Sequence, residues 1–168
     1  MPRVIAIGDI HGGLTALQRL EESVPFRDDD RLIALGDYVD RGPDSAGVLD
    51  WIIERRERDQ LVALQGNHEI MMLDAFRDAY AKDAWESVGG KQTLTSYWAR
   101  GLSGSLEDIP ESHRRLLRLQ LLPYYQTETH FFVHANAYHE VPLDQQPDYM
   151  LYWDCLLYTS DAADDDAC

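Results

Sequence analysis

Cysteine is scarce in this chain, and so is positive charge. The two cysteines among its 168 residues, Cys155 and Cys168, both lie near the C-terminus. That excludes a disulfide framework and fits a reducing compartment. Fifteen Lys and Arg stand against thirty Asp and Glu, a formal net charge of −15, so the basic stripe that a nucleic-acid backbone requires is missing. Apolar runs are too short for a membrane span or a signal peptide. The expectation is a cytoplasmic protein with neither nucleic-acid nor membrane partners. What remains is ample for a single folded domain, because 45% of the residues are hydrophobic and fall in periodic blocks. An acidic chain can still bind phosphate if metal ions supply the local positive charge, and such ions themselves need carboxylates.

The blocks alternate between strand and helix. Val4–Ile7 reads as a buried strand, and Leu14, Leu17 and Leu20 place a helix over 13–24. Arg31–Leu35 is a second strand, followed by a helix opened by Pro43. Gln60–Leu64 is a third. Near-continuous apolar strands in a β-α-β-α-β order predict a parallel sheet covered on both faces. The right-handed crossover rule then brings the three strand-end loops to one edge. Beyond them the spacing predicts helices over 67–82, 91–100 and 111–122, and two antiparallel strands, Tyr124–Glu128 and Phe131–Val133. No internal repeat is visible. The segment 156–168 reads as acidic low-complexity coil, disordered or foreign to the domain, which is expected to span 1–155.

The strand-end loops concentrate the chemistry. Gly8-Asp9-Ile10-His11-Gly12 follows the first strand, Gly36-Asp37-Tyr38-Val39-Asp40-Arg41-Gly42 the second, and Gly66-Asn67-His68-Glu69 the third; His134 ends a later one. In an α/β sheet, ligands bind at such strand ends. Mixed imidazole and oxygen donors suit manganese, iron or zinc more than calcium. A carboxylate can bridge two ions about 3.5–4 Å apart, a spacing that clamps a phosphoryl group.

These three motifs resemble the signature of the phosphoprotein phosphatases, within the calcineurin-like metallophosphoesterases. Gly89-Gly90 and Thr93-Leu94-Thr95-Ser96-Tyr97 are similar to the bacterial serine/threonine branch. The resemblance implies an α/β fold, a β-sandwich flanked by helices. It also implies hydrolysis of phosphorylated proteins or small phosphoesters with two divalent ions, manganese first and iron or zinc as alternatives. Asp9 and His11 would bind one ion, Asp37 would bridge, and Asn67 and His134 would bind the other. His68 would protonate the leaving alcohol, Asp40 would orient it, and Arg41 would hold the phosphate oxygens. Family members carry a further Gly-His motif and another arginine downstream, which this chain does not match, since His139 is the only histidine after His134. A C-terminally incomplete domain, one ligand short at the second ion and with an incomplete second sheet, is the expectation. Symmetrical dinucleoside tetraphosphate hydrolysis and an inactive metal- or phosphate-binding fragment are the competing readings.

Blander roles compete residue by residue. Asp9 could be a turn residue and His11 a helix cap. Asn67 could be an N-cap, Arg41 could pair with Asp40, and Glu69 could be a first-turn carboxylate favoured by the helix dipole. His113 and His130 read as solvated, and Trp85, Tyr97 and Trp98 as core or groove wall.

Overall fold

Three short parallel strands form the centre of the molecule: β1 Val4–Ile7, β2 Arg31–Ala34 and β3 Leu61–Ala63, with β2 in the middle. The computed structural model describes residues 3–154. The acidic tail and both cysteines lie outside the described residues. The register pairs Ile5 with Leu32 and Ile33 with Val62. Because strand side chains alternate between faces, each apolar run serves two layers. Leu32, Ala34, Leu61 and Ala63 pack on the helices α1 (Leu14–Ser23) and α2 (Ser45–Glu57) and their neighbours. Ile33, Val62 and Leu64 face the other way, against Tyr125 and Phe132. Those two rings belong to an antiparallel hairpin, β4 Tyr125–Gln126 and β5 Phe131–Phe132. The architecture is α/β, helices on one face of a parallel sheet and a two-stranded second sheet on the other.

The hairpin covers β2 and β3 and does not reach β1. Val4 is 52% exposed and Ala6 is exposed too, so β1 is packed only through Ile5 and Ile7 and is not the buried strand expected. The second helix begins at Ser45, past Pro43, with Asp44 as its cap accepting from Gly47 N. The helical pattern over 67–82 is two helices, α3 (Asn67–Asp74) and α4 (Ala79–Trp85), because Asp78 caps a new start by accepting from Ala81 N. A wide turn, Glu86–Gly90, links α4 to α5 (Lys91–Trp98); α6 (Glu111–Leu119) and α7 (Asp148–Tyr152) follow. Tyr38 ties the sheet to the loop after β2, since its buried hydroxyl reaches Leu64 O at 2.6 Å and Ala34 O at 3.1 Å.

Candidate metal centre

The loops after β1, β2 and β3 meet at one sheet edge. Ile10 N and His11 N both donate to Asp37 O, at 3.0 and 2.8 Å, and Gly12 N donates to Tyr38 O. Gly36 has a φ of 116°, and a Cβ there would stand 2.7 Å from Gly66 N and 2.8 Å from His134 Nδ1. Only glycine lets three chain segments approach this closely. Four site residues adopt left-handed backbone: His11 (φ 43°), Asp37 (52°), Asp40 (74°) and Arg41 (62°). Each costs on the order of 1 kcal/mol or more, and such strain collects where function fixes a side chain's aim.

Three imidazoles surround one carboxylate. His11 Nδ1 lies 2.8 Å from Val39 O, and His134 Nδ1 lies 3.0 Å from Leu35 O. A carbonyl only accepts, so each Nδ1 carries the proton and each Nε2 keeps its lone pair. His68 Nδ1 lies 2.7 Å from Asp40 Oδ2 and donates to it in the same way. All three Nε2 atoms point at Asp37, at 3.6 Å for His11, 4.0 Å for His68 and 3.5 Å for His134. Donor atoms of His11, Asp37 and His68 all lie within 4.8 Å of one another. The rings of His11 and His68 pack edge-to-face with centroids 4.7 Å apart. Asn67 joins from the start of α3, its Oδ1 3.0 Å from His134 Nε2. It is the first residue of that helix and not its cap, which is Gly66.

Asp40 is fully buried, and His68 is 2% exposed. Arg41 makes no ion pair with Asp40; it is exposed, and its Nη1 donates to His11 Nε2 at 3.1 Å. Asp9, just past β1, is exposed and stands outside the His11–Asp37–His68 group.

Several supporting residues carried no clear signal of their role. Glu69 is fully buried, and its carboxylate accepts from the backbone N–H of Asp37 (2.8 Å), Tyr38 (2.7 Å), Val39 (3.3 Å) and Gly66 (3.0 Å). It shapes the Asp37 loop instead of merely facing a helix dipole. Burial, and then the Asp37 carboxylate beside it, push the Glu69 carboxyl up to about 8, against the pull of those N–H groups. Trp85 and Thr93 reach Asp40 from α4 and α5 respectively. The Thr93 motif was visible in the sequence but not its target; Trp85 is indeed core, and its indole N–H is also committed. His113, expected in solvent, is 2% exposed between Tyr97 and Asp50.

The donor set fits divalent metal. The lone pairs of the Nε2 atoms, both Asp37 oxygens and Asn67 Oδ1 converge with few protons between them. As oriented, Asn67 Oδ1 faces only acceptors; with the amide turned, its nitrogen would donate to His134 Nε2 at 3.0 Å and to the Asp37 oxygens at 3.2 and 3.3 Å. Convergence of this kind is satisfied either by that turned amide or by a cation. Neutral imidazoles whose Nδ1–H is held by carbonyl or carboxylate are how metal-binding histidines are usually presented.

Comparison with known proteins identifies the family. Residues 2–155 match the calcineurin-like phosphoesterase family. Serine/threonine-protein phosphatase 1 of Salmonella typhimurium is 33% identical over 139 residues, 79% of this chain and 58% of that protein. A symmetrical bis(5'-nucleosyl)-tetraphosphatase of Pseudomonas syringae is 43% identical over 75 residues, 44% of this chain and 25% of that protein. The chain therefore spans little more than half the length of the first of these relatives. A crystal structure described as a candidate diadenosine tetraphosphatase superposes with a TM-score of 0.61 at 24% identity, over 88% of this chain and 57% of the other, and supports the fold. Among the described residues, no helix is long and apolar enough to cross a membrane.

Proposed function

Because this chain belongs to the calcineurin-like phosphoesterase family, we propose that it is a metal-dependent phosphomonoesterase, acting as a serine/threonine protein phosphatase. The observation that carries the reading is the convergence of nitrogen and oxygen donors from four loops on Asp37. Asp9, His11, Asp37, Asn67 and His134 would hold two ions, with the second ion one ligand short; manganese is the first choice and iron or zinc the alternatives. Such ions, when bound, supply Lewis-acid charge to the phosphoryl oxygens and lower the pKa of the attacking water.

The remaining work falls to side chains. Arg41, exposed at the mouth of the site, offers a planar fork to the phosphate oxygens. His68 keeps one proton on Nδ1, shared with Asp40. A second proton on Nε2 passes to the alcohol oxygen as the P–O bond breaks, which is general-acid catalysis. Asp40 holds the ring and faces the positive charge that it carries when both nitrogens are protonated. Both carboxylates are buried and their neighbours separate their jobs: Asp40 meets His68 Nδ1, Trp85 and Thr93, and Asp37 meets the Nε2 atoms of three histidines.

The test is to assay the protein with added manganese on a phosphoserine peptide, an aryl phosphate and diadenosine tetraphosphate. Turnover of the first two is expected, and Asp37→Asn or His68→Asn should lower kcat by orders of magnitude. Near-parental rates in either variant would refute the assignment. The tetraphosphatase reading is favoured by the 43% identity to the Pseudomonas relative. Faster cleavage of diadenosine tetraphosphate than of the peptide would put it first.

A further inference from the structure

From the surroundings of Asp40, we infer that Trp85 and Thr93 are positioning residues for the general acid, acting on His68 through Asp40. The inference rests on the reading of His68 given above. Asp40 Oδ2 accepts from His68 Nδ1 at 2.7 Å and also from Trp85 Nε1 at 2.8 Å. Oδ1 accepts from Thr93 Oγ1 at 2.7 Å. Trp85 is 1% and Thr93 0% exposed, so no water competes for these bonds. With a donor fixed at each oxygen, the carboxylate plane cannot turn about Cβ–Cγ without stranding a buried donor, at a cost of about 1–3 kcal/mol. The imidazole that hangs from Oδ2 inherits that fixed direction.

The backbone beneath is held by the same residues. Asp40 N donates to Thr93 Oγ1 at 2.8 Å and to Ser45 Oγ at 3.1 Å. Thr93 spends its single proton on Asp40, so in the 2.9 Å contact between the two hydroxyls it is Ser45 that donates. Next along, Arg41 N donates to Gly89 O at 3.2 Å. These bonds secure two consecutive left-handed residues, Asp40 and Arg41, which would otherwise relax. All three supports, Trp85, Gly89 and Thr93, come from one helix–turn–helix segment outside the three strand-end motifs. That segment is a clamp on the acid, and it takes no part in holding metal.

The two substitutions that isolate the bonds are Trp85→Phe, which keeps a packed ring and removes the N–H, and Thr93→Val, which keeps the volume and removes the hydroxyl. Each would be assayed with manganese on phosphate esters of graded leaving-group basicity, from dinitrophenyl to alkyl, beside His68→Asn and Thr93→Ser. A misaimed acid matters only when the leaving oxygen needs a proton. The expected result is a kcat loss of roughly tenfold or more on alkyl esters, within about twofold on dinitrophenyl phosphate, with KM unchanged and Thr93→Ser near the parent. An equal loss on every ester, or none in Trp85→Phe and Thr93→Val while His68→Asn shows the graded loss, would overturn the inference alone. An ungraded His68→Asn would overturn the acid reading and this inference with it. Should Trp85→Phe fail to fold, the two Thr93 variants still report in the folded, metal-free protein. The downfield NMR resonance of the His68 Nδ1 proton should persist in Thr93→Ser and exchange rapidly in Thr93→Val; persistence in both would likewise overturn the inference.

Discussion

Asp37 Oδ1 lies 3.5 Å from His134 Nε2, and neither atom has a proton to give the other. The ring's one proton is committed to Leu35 O on its far side. Facing lone pairs repel, so this geometry is relieved by a cation between them or, without one, by the turned Asn67 amide.

Manganese should therefore stabilise the fold. At one hundred times its dissociation constant, a bound ion adds about 2.7 kcal/mol, which raises the melting midpoint by roughly 5–10 °C for a chain of this size. Elemental analysis should find less bound metal in His11→Asn and in His134→Asn, and unchanged metal in His68→Asn, because the general acid keeps its Nε2 for a proton instead of an ion. A midpoint indifferent to manganese would contradict the donor set.

Glu69 makes a sharper stability prediction. Its carboxylate is the acceptor for four backbone N–H groups from the Asp37 loop and the start of α3. Glu69→Ala would leave them buried and unpaired, each at about 1–3 kcal/mol before relaxation. Denaturant unfolding should show a loss of at least about 3 kcal/mol, with activity falling alongside. A loss no larger than that of an exposed helix glutamate would show that the loop holds its own shape.

The strand ends and their motifs were legible because apolar runs and glycine–carboxylate pairs are local signals. The parallel direction of β1, β2 and β3 followed from the βαβ pattern, whereas the central place of β2 did not. What lay hidden was long-range. Nothing near Thr93 in the sequence says that its hydroxyl reaches Asp40, and nothing near Gly89 says that a Cβ there would stand 2.7 Å from Arg41 N. His113 looked like a polar residue on an arginine-rich helix, yet that helix turns it inward onto Tyr97. The exposure of Val4 and Ala6 likewise depends on how far the hairpin reaches, which no property of β1 encodes.

The burial of His113 gives a pH dependence. Desolvation lowers its pKa, and the hydrogen bond to Asp50 only partly restores it. Nε2–H donates to Asp50 at 2.9 Å, and Nδ1 accepts from the Tyr97 hydroxyl at 2.7 Å, so the neutral ring is the one that fits. A base with a depressed folded pKa contributes stability that is complete above its unfolded value, about 6.5, and is lost as pH falls below it. Burial opposes ionisation of Asp50 as well, but Arg100 and His113 together hold its carboxyl below the usual range, so its own loss comes at lower pH. The His113 contribution to the melting midpoint should decline between pH 7 and 5, against an opposite contribution from Glu69, whose raised carboxyl takes up a proton on folding. His113→Gln, which can make both hydrogen bonds without titrating, should flatten that decline. An unchanged slope would assign it to other groups.

Arg41 occupies the lone pair that a metal ion needs. Its Nη1 donates to His11 Nε2 at 3.1 Å, the same nitrogen that faces Asp37. Ion binding at His11 must break this bond and bring a cation beside a guanidinium. Removing the side chain removes both costs, so Arg41→Ala should bind manganese more tightly, by roughly threefold to tenfold for a hydrogen bond worth about 0.5–1.5 kcal/mol. The same variant loses the fork for phosphate, and KM for a phosphoester should rise by on the order of tenfold or more, as expected for a hydrogen bond to a charged group. Metal titration followed by calorimetry and steady-state kinetics on one preparation would measure both. Opposite movements of the two affinities fit an arginine that leaves His11 when the ions arrive and turns to the substrate. A fall in both would mean that Arg41 supports the loop instead of the phosphate.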